Sequence, residues 1–375
     1  MGFEFEKAPD NADENLKRIC AKFFENLGVE DGKVQEEVVG EKGDNYVAKV
    51  TRFILHCEAI ETPVRMIVKI APTDEILRNS MKIAQVFKNE ALVYDKLLPK
   101  YKEFEDLVCF SEEDRLTSAV CYGVHLDAPH ECIALEDLNE NGFYLADRLK
   151  SLSDEELKLA INDLAKFHAL GFVLKERDKT LFDQIKKQLT NTWAYNENDE
   201  MFKAFFDIII RQVQLVLDED EYNLRNGKPT EVVMLDYQLA RISSPTVDLQ
   251  YLIFNCTDSE ARSVAYYDWL DFYYDNFSKH LAYHDLKSSH VYPRNKFDED
   301  LKAYAEISLV SALCTANLLV RDREEVLDFK EGIDVTQIEN EMQKMGLSSM
   351  KEATVERFKK RVRGVVKDFI SYGYI

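Results

Sequence analysis

The sequence has little that would place the protein in a membrane or an oxidising compartment. No stretch approaches the roughly 18 consecutive apolar residues of a membrane-spanning helix, and the opening MGFEFEKAPDNADENLKR holds no apolar signal segment. The seven cysteines include no CxxC pair, which disfavours a cysteine zinc site and indicates a reducing compartment. His280 and His284 have ligand spacing, but such pairs are more typical of a solvated helix face. We therefore expect a cytoplasmic protein with no membrane partner.

Positive charge, glycine and proline are also scarce. The 48 Lys and Arg residues stand against 69 Asp and Glu, a formal charge of −21, so the clustered cations that bind nucleic acid are missing. With 13 Gly, 8 Pro and 46% hydrophobic residues, the composition describes a globular chain, not a disordered or fibrous one. We expect no nucleic-acid partner, and a monomer is the default oligomeric state.

The character of the sequence changes near residue 138. Before it, the runs YVAKVTRFILHCEAI and VRMIVKIAP, joined by a turn at 61–63, predict a β-hairpin. After it, Ser153 and Glu156 form a capping box that opens a helix. Helical periodicity predicts further helices around 200–217, 249–283, 298–320 and 350–371.

These patterns predict an α+β protein with two lobes. Single cores stop growing near about 250–300 residues, and this chain has 375. We assign an N-terminal helical segment to residues 1–30, a sheet-containing N-lobe to 31–138 and a mainly helical C-lobe to 139–375.

Two charged residues lie where charge is costly. Lys69 stands in the apolar run Met66–Ile70, and Glu90 falls on the apolar face of the following helix. An unpaired buried charge is strongly destabilising, whereas a matched pair roughly breaks even, so we predict that Lys69 and Glu90 pair. The pair is either purely structural or the strand lysine and helix glutamate with which kinases hold ATP phosphates.

Two polar segments flank this pair. The turn at Gly43, Asp44 and Asn45 has an ordinary turn composition, but its place before the hairpin also suits a loop that covers phosphates. Leu135 and Glu136 belong to the short apolar strand 131–138. That strand is either the last of the sheet or a hinge whose backbone groups meet an adenine edge.

Asp236 follows the run EVVML and precedes a polar turn. The run predicts a buried strand, and an aspartate at the end of such a strand can hold Mg²⁺ between the phosphates of ATP. The alternative is a turn carboxylate. The order Lys69, Glu90, hinge, Asp236 favours ATP and Mg²⁺ as cofactors.

The chain resembles the ecdysteroid kinase-like family, part of the choline kinase and aminoglycoside phosphotransferase group with a protein-kinase-like fold. The resemblance rests on IVKIAP, FKNEALVYDKLLP, IALEDL, LAKFHAL and NGKPTEVVMLDYQLARISSPTVDL, and runs from about residue 15 onwards. It implies that Lys69 contacts nucleotide phosphates, Glu90 orients it and Asp236 binds magnesium. It also implies that Asp248 steadies the catalytic loop and that His168 is structural.

One element of that family is missing. Members carry a loop of the form His-Gly-Asp-Leu-Trp-x-Asn-Asn before the DYQ segment, but here RQVQLVLDED runs directly into EYNLRNGKPTEVVMLD. Asp218, Asn223 and Asp236 are spaced like the catalytic base, the metal-binding Asn and the metal-binding Asp of a protein kinase. Spacing is the one feature of the kinase motifs that they reproduce. The strand EYNL is predicted to pair with VVML across the turn at 226–227.

Three interpretations stay open. The chain transfers the γ-phosphoryl of ATP to an alcohol with substitute residues, or it is a pseudokinase that binds without turnover, or it is a product that lacks an exon. The resemblance favours a steroid-like or other lipophilic alcohol, such as an ecdysteroid, as acceptor. Choline is the alternative, with Asp268, Trp269 and Asp271 as a cage. Most C-lobe aromatic residues are expected in the core.

Overall fold

The computed structural model describes residues 3–5, 14–39, 48–58, 61–108, 110–192, 208–209, 211–214, 216, 231–327, 337, 340–341 and 343–375. Strands dominate the first part and helices the rest. The predicted α+β class is confirmed.

The first part is built on a six-stranded sheet of order β1-β2-β3-β4-β6-β5. Its strands are β1 (Phe3–Phe5), β2 (Gly32–Val38), β3 (Lys49–His56), β4 (Val64–Ile70), β5 (Cys121–His125) and β6 (Cys132–Glu136). All neighbours are antiparallel except β1 and β2, which are parallel. The segment predicted as helical, 1–30, therefore also contributes an edge strand. The predicted hairpin is present as β3 and β4.

Four helical elements accompany the sheet. They are α1 (Glu14–Asn26), α2 (Glu75–Ser80), α3 (Ile83–Leu92) and α4 (Leu98–Leu107), and a π-helical turn, Val93–Leu97, joins the last two. Pro99 lies at the second position of α4, directly after the π-helical turn, and offers no N–H to the turn before it. Helix α3 carries the buried glutamate of the site.

The remainder is mainly helical. Helix α5 (Asp154–Arg177) begins at the predicted capping box, in which Ser153 N donates to Glu156 at 2.6 Å and Glu156 N donates to Ser153 Oγ at 3.3 Å. The next helices are α6 (Lys179–Gln188), α7 (Pro245–Cys256), α8 (Ser259–Tyr283), α9 (Ser288–Val291), α10 (Arg294–Ala303), α11 (Ala305–Leu319) and α12 (Glu352–Ser371).

The predicted helices at 249–283 and 298–320 are each divided in two. Asp258 caps the start of α8 through the amide of Ala261, because a short carboxylate satisfies the free amides of a helix start. Most of the helix predicted at 200–217 lies outside the described residues.

One hydrophobic core runs from α3 and α4 through α5 to α8. Phe87, Leu164 and Trp269 are among its buried members. A second cluster, with Phe24 and Phe53, fills the space between α1 and the sheet. Within the described ranges no helix combines the length and apolar character needed to cross a bilayer.

The expectation that His280 and His284 are solvated is wrong. Both are buried, and Phe110 stacks on His280 with ring centroids 6.2 Å apart. Burial, aided by the nearby charge of Lys166, lowers the pKa of His280 to about 4. Phe110 covers the face of α8 that carries the two histidines. The spacing of two histidines one turn apart does not reveal such a neighbour.

Candidate active site

Lys69 and Glu90 form the predicted ion pair. Lys69 lies on β4, between Val50 of β3 and Ile133 of β6, and its Nζ is 2.8 Å from Glu90 Oε2 on α3. Their side chains are 12% and 2% exposed. The two charges are therefore largely removed from water. In such a buried site each charge is tolerated only because the other neutralises it.

Asp236 completes a three-residue cluster. Its Oδ1 lies 2.9 Å from Lys69 Nζ, and its side chain is 61% exposed. One ammonium therefore bridges a buried and a solvated carboxylate. The Asp236 backbone has φ +65°, an unfavourable region for a residue with a side chain, and such strain is concentrated at functional sites.

The segment before Asp236 differs from its prediction. Residues 231–236 form no strand in the described structure, and Val232, Val233 and Met234 are only partly buried. An apolar run becomes a strand only where a neighbouring strand completes its hydrogen bonds. The intended partner at 221–224 lies outside the described residues.

Burial controls the ionisation of Glu90. Desolvation raises the pKa of its carboxyl to about 7, with Lys69 opposing the rise and the charge of Asp236 adding to it. Glu90 also accepts a hydrogen bond from the backbone amide of Tyr237. Its charge therefore responds both to Lys69 and to the loop that carries Asp236.

Aromatic rings that the sequence analysis did not single out support this loop. Tyr237 lies edge-on to Tyr94 of the π-helical turn, with centroids 5.3 Å apart, and stacks on Phe167 of α5 at 5.8 Å. Tyr94 follows Glu90 by four residues, so both lie on one helix face. That spacing is the only signal of this contact in the sequence.

His168 and Asp248 meet in the structure. His168 Nε2 lies 3.3 Å from Asp248 Oδ2 on α7, and its Nδ1 lies 2.7 Å from the Tyr273 hydroxyl on α8. The imidazole thus joins three helices, a geometry that fits the structural role which the resemblance implies. Asp248 is directed toward α5 by this contact.

Side chains fix the polypeptide at the end of β6, where the sequence predicts either a hinge or only the last strand of the sheet. Glu136 accepts from the Val120 amide at 3.1 Å and from Asn141 Nδ2 at 2.7 Å, and Leu135 is in register with Ile67 of β4. Arg52 of β3 pairs with the buried Asp137. The polypeptide therefore leaves the sheet along a defined path into the helical part.

Several predicted residues cannot be placed. Gly43, Asp44 and Asn45, and the spacing-based candidates Asp218 and Asn223, lie outside the described residues, as do Trp193, Tyr195, Phe205 and Phe206. Tyr266, Trp269 and Tyr273 are buried in the core, as expected. Trp269 is 1% exposed, so its ring face is not available as the wall of a choline cage.

The donor set suits magnesium held jointly with phosphates. In the described part of the chain no three potential metal-binding side chains gather. Mg²⁺ is typically bound through one or two carboxylates and substrate phosphates. The exposed carboxylate of Asp236 matches that pattern.

A sheet lysine paired with a helix glutamate, with an aspartate on a loop beside them, is an arrangement also found in protein kinases. The comparison with known families agrees. The ecdysteroid kinase-like family matches residues 42–225 and 221–286, and the chain belongs to this family, whose members are kinase-like small-molecule phosphotransferases. No curated protein matches the chain.

Proposed function

We propose that the chain binds Mg·ATP at the Lys69–Glu90–Asp236 cluster. The observation that supports this most is the single ammonium of Lys69 between a buried and a solvated carboxylate, at 2.8 and 2.9 Å. A purely structural ion pair needs only one carboxylate. The second, 61% exposed, adds little stability at the surface and is better explained by a ligand.

Each residue has a distinct role in this proposal. Glu90, when ionised, holds Lys69 in place. An ammonium carries three N–H donors, so Lys69 can keep Glu90 while it donates to a phosphate oxygen. Asp236 would hold Mg²⁺, which neutralises charge on the β and γ phosphates. Leu135 and Glu136 would border the adenine, and Gly43, Asp44 and Asn45 would cover the phosphates.

The reaction proposed for this site is transfer of the γ-phosphoryl of ATP to the hydroxyl of a small lipophilic alcohol, with a steroid-like alcohol as the preferred acceptor. Positioning and charge neutralisation supply most of the rate in phosphoryl transfer. Asp218 and Asn223 are the candidates that spacing offers as base and second metal ligand. We place this activity in the cytoplasm, in a monomer.

A second candidate is binding without turnover. It is favoured by the sequence between residues 217 and 231, which contains no His-Gly-Asp segment. In this case Mg·ATP stabilises the fold, but no phosphate moves to an alcohol. Radiolabelled ATP with a panel of sterols and choline separates the two candidates, because only the enzyme labels an acceptor.

The nucleotide proposal is tested by thermal unfolding with and without Mg·ATP. Ligand at one hundred times its dissociation constant adds about 2.7 kcal/mol to the folded state, and Asp236→Asn should abolish this gain. Asp285→Asn is the matched control, because Asp285 also has a positive φ, +56°, but lies at the end of α8. An unfolding transition of the wild type that Mg·ATP leaves unchanged would refute the proposal.

A further inference from the structure

Asn89 precedes the glutamate of the site and is itself fully buried. Its side chain connects α3 to two distant segments. Asn89 Nδ2 donates to Thr190 O at 2.7 Å, and Asn89 Oδ1 accepts from Thr190 N at 2.9 Å. The same Nδ2 lies 3.3 Å from both Gln238 O and Ala240 O.

These contacts use the whole amide group. Its two N–H donors face three carbonyl oxygens, and its oxygen takes one amide proton. A buried carbonyl that loses its donor carries the full cost of desolvation. The arrangement is therefore specific for an amide, since a carboxylate of the same shape brings no donor to the three carbonyls.

The loop that Asn89 holds is the one that carries Asp236. Residues 237–239 form a single 3₁₀ turn, and residues 231–236 have no strand neighbour in the described structure. Helix α3 reaches this loop through Asn89 and through Glu90, which accepts from the Tyr237 amide. The π-helical turn after α3 adds Tyr94, whose ring meets Tyr237.

We propose that Asn89 is a positioning residue for the magnesium aspartate: it fixes the 238–240 backbone relative to α3, and so fixes Asp236 relative to Lys69 and Glu90. This inference rests on the proposed function, because it assigns Asn89 to the same nucleotide site. It predicts that the Glu90 helix and the Asp236 loop move as one unit. Loss of the amide separates them while Lys69, Glu90 and Asp236 all remain.

The test compares Asn89→Ala and Asn89→Asp with Asn317→Ala. Asn317 is the control away from the site. It is equally buried, donates to Gln212 Oε1 at 2.7 Å and Met345 O at 3.0 Å, and accepts from Arg321 Nε at 3.1 Å. Calorimetry measures the affinity for ATP with Mg²⁺ and with EDTA. Removal of groups that orient a metal ligand costs about 10–100-fold in metal affinity or activity. The Mg²⁺-dependent part of the ATP affinity is the ratio of the affinities with Mg²⁺ and with EDTA. We expect this ratio to fall about 10-fold in both Asn89 variants and to stay unchanged in Asn317→Ala.

Hydrogen exchange of the nucleotide-free protein provides a second measurement. Peptides covering 234–241 should exchange at least about 10-fold faster in Asn89→Ala, and at the wild-type rate in Asn317→Ala. Wild-type protein that does not bind Mg·ATP refutes the proposed function and, with it, the role of Asn89 at a nucleotide site, whereas faster exchange would still show that Asn89 anchors the loop. Unchanged exchange in Asn89→Ala, or unchanged affinity beside a lowered melting temperature, would overturn the inference.

Discussion

Lys69 Nζ and Asp236 Oδ1 lie 2.9 Å apart although 167 positions separate them in the sequence. The contact joins β4 of the sheet to the loop before α7. Glu90 reaches the same ammonium from α3 at 2.8 Å. Since the two carboxylates share one cation, a change at any of the three residues alters the electrostatic free energy of the other two.

The first prediction concerns Lys69→Met. This variant leaves Glu90 buried without its cation, and loss of one partner of a buried pair typically costs about 3–5 kcal/mol. We expect the free energy of unfolding to fall by about 3 kcal/mol in urea titrations. The double variant Lys69→Met/Glu90→Gln should recover part of the loss, because no uncompensated charge is then buried.

Lys96→Met is the control for this prediction. Lys96 lies 2.7 Å from Asp95, but the two side chains are 58% and 46% exposed, and such surface pairs contribute about 0–1 kcal/mol. Strict additivity of Lys69→Met and Glu90→Gln would show that the two groups are not energetically coupled.

The second prediction concerns the contact between His168 and Tyr273. The Tyr273 hydroxyl is fully buried and lies 2.7 Å from His168 Nδ1. Tyr273→Phe should lower the free energy of unfolding by about 1–3 kcal/mol, because the ring nitrogen loses a buried partner. Tyr267→Phe, at a residue that is 61% exposed, should change it by less than about 0.5 kcal/mol. Equal effects of the two variants would contradict a structural role for the histidine.

The third prediction concerns the C-terminal helix. Arg262 of α8 donates to Asp368 of α12 at 2.7 Å, and the side chains are only 2% and 4% exposed. Asp368→Ala should destabilise the fold by about 3–5 kcal/mol, measured by chemical unfolding. Asp298→Ala removes an exposed carboxylate 2.9 Å from Arg294 and should cost below about 1 kcal/mol. A small effect of Asp368→Ala would mean that α12 is held by its apolar face alone.

Local physical chemistry accounts for much of what the sequence predicted correctly. A lysine in the alternation of a strand and a glutamate on the apolar face of a helix each need a partner, and this requirement alone pairs Lys69 with Glu90. The capping box at Ser153 is equally local. The capping box depends on residues three positions apart. The ion pair depends on one strong constraint, the cost of a buried charge without a partner.

Other features depend on tertiary neighbours. The run at 232–235 has strand composition, but it forms no strand in the described structure. Composition does not show whether a run finds a neighbouring strand. His280 and His284 are buried because Phe110 covers them. The Asn89 amide looks like an ordinary polar residue in FKNEALVY until the fold brings three distant carbonyls to it.

The last prediction concerns pH. Burial raises the pKa of Glu90 to about 7 from an ordinary value of 4.5, so the folded state binds this proton more tightly than the unfolded state. The stability that protonated Glu90 contributes is complete below pH 4.5 and is lost as the pH rises to about 7. The free energy of unfolding of wild type, minus that of Glu90→Gln, should therefore fall over this range in urea titrations. Since ionised Glu90 orients Lys69, stabilisation by Mg·ATP should rise more steeply over the same range in wild type than in Glu90→Gln, where only the phosphate of the nucleotide titrates. A difference that grows with pH in the nucleotide-free protein would mean that attraction to Lys69 outweighs the desolvation of Glu90.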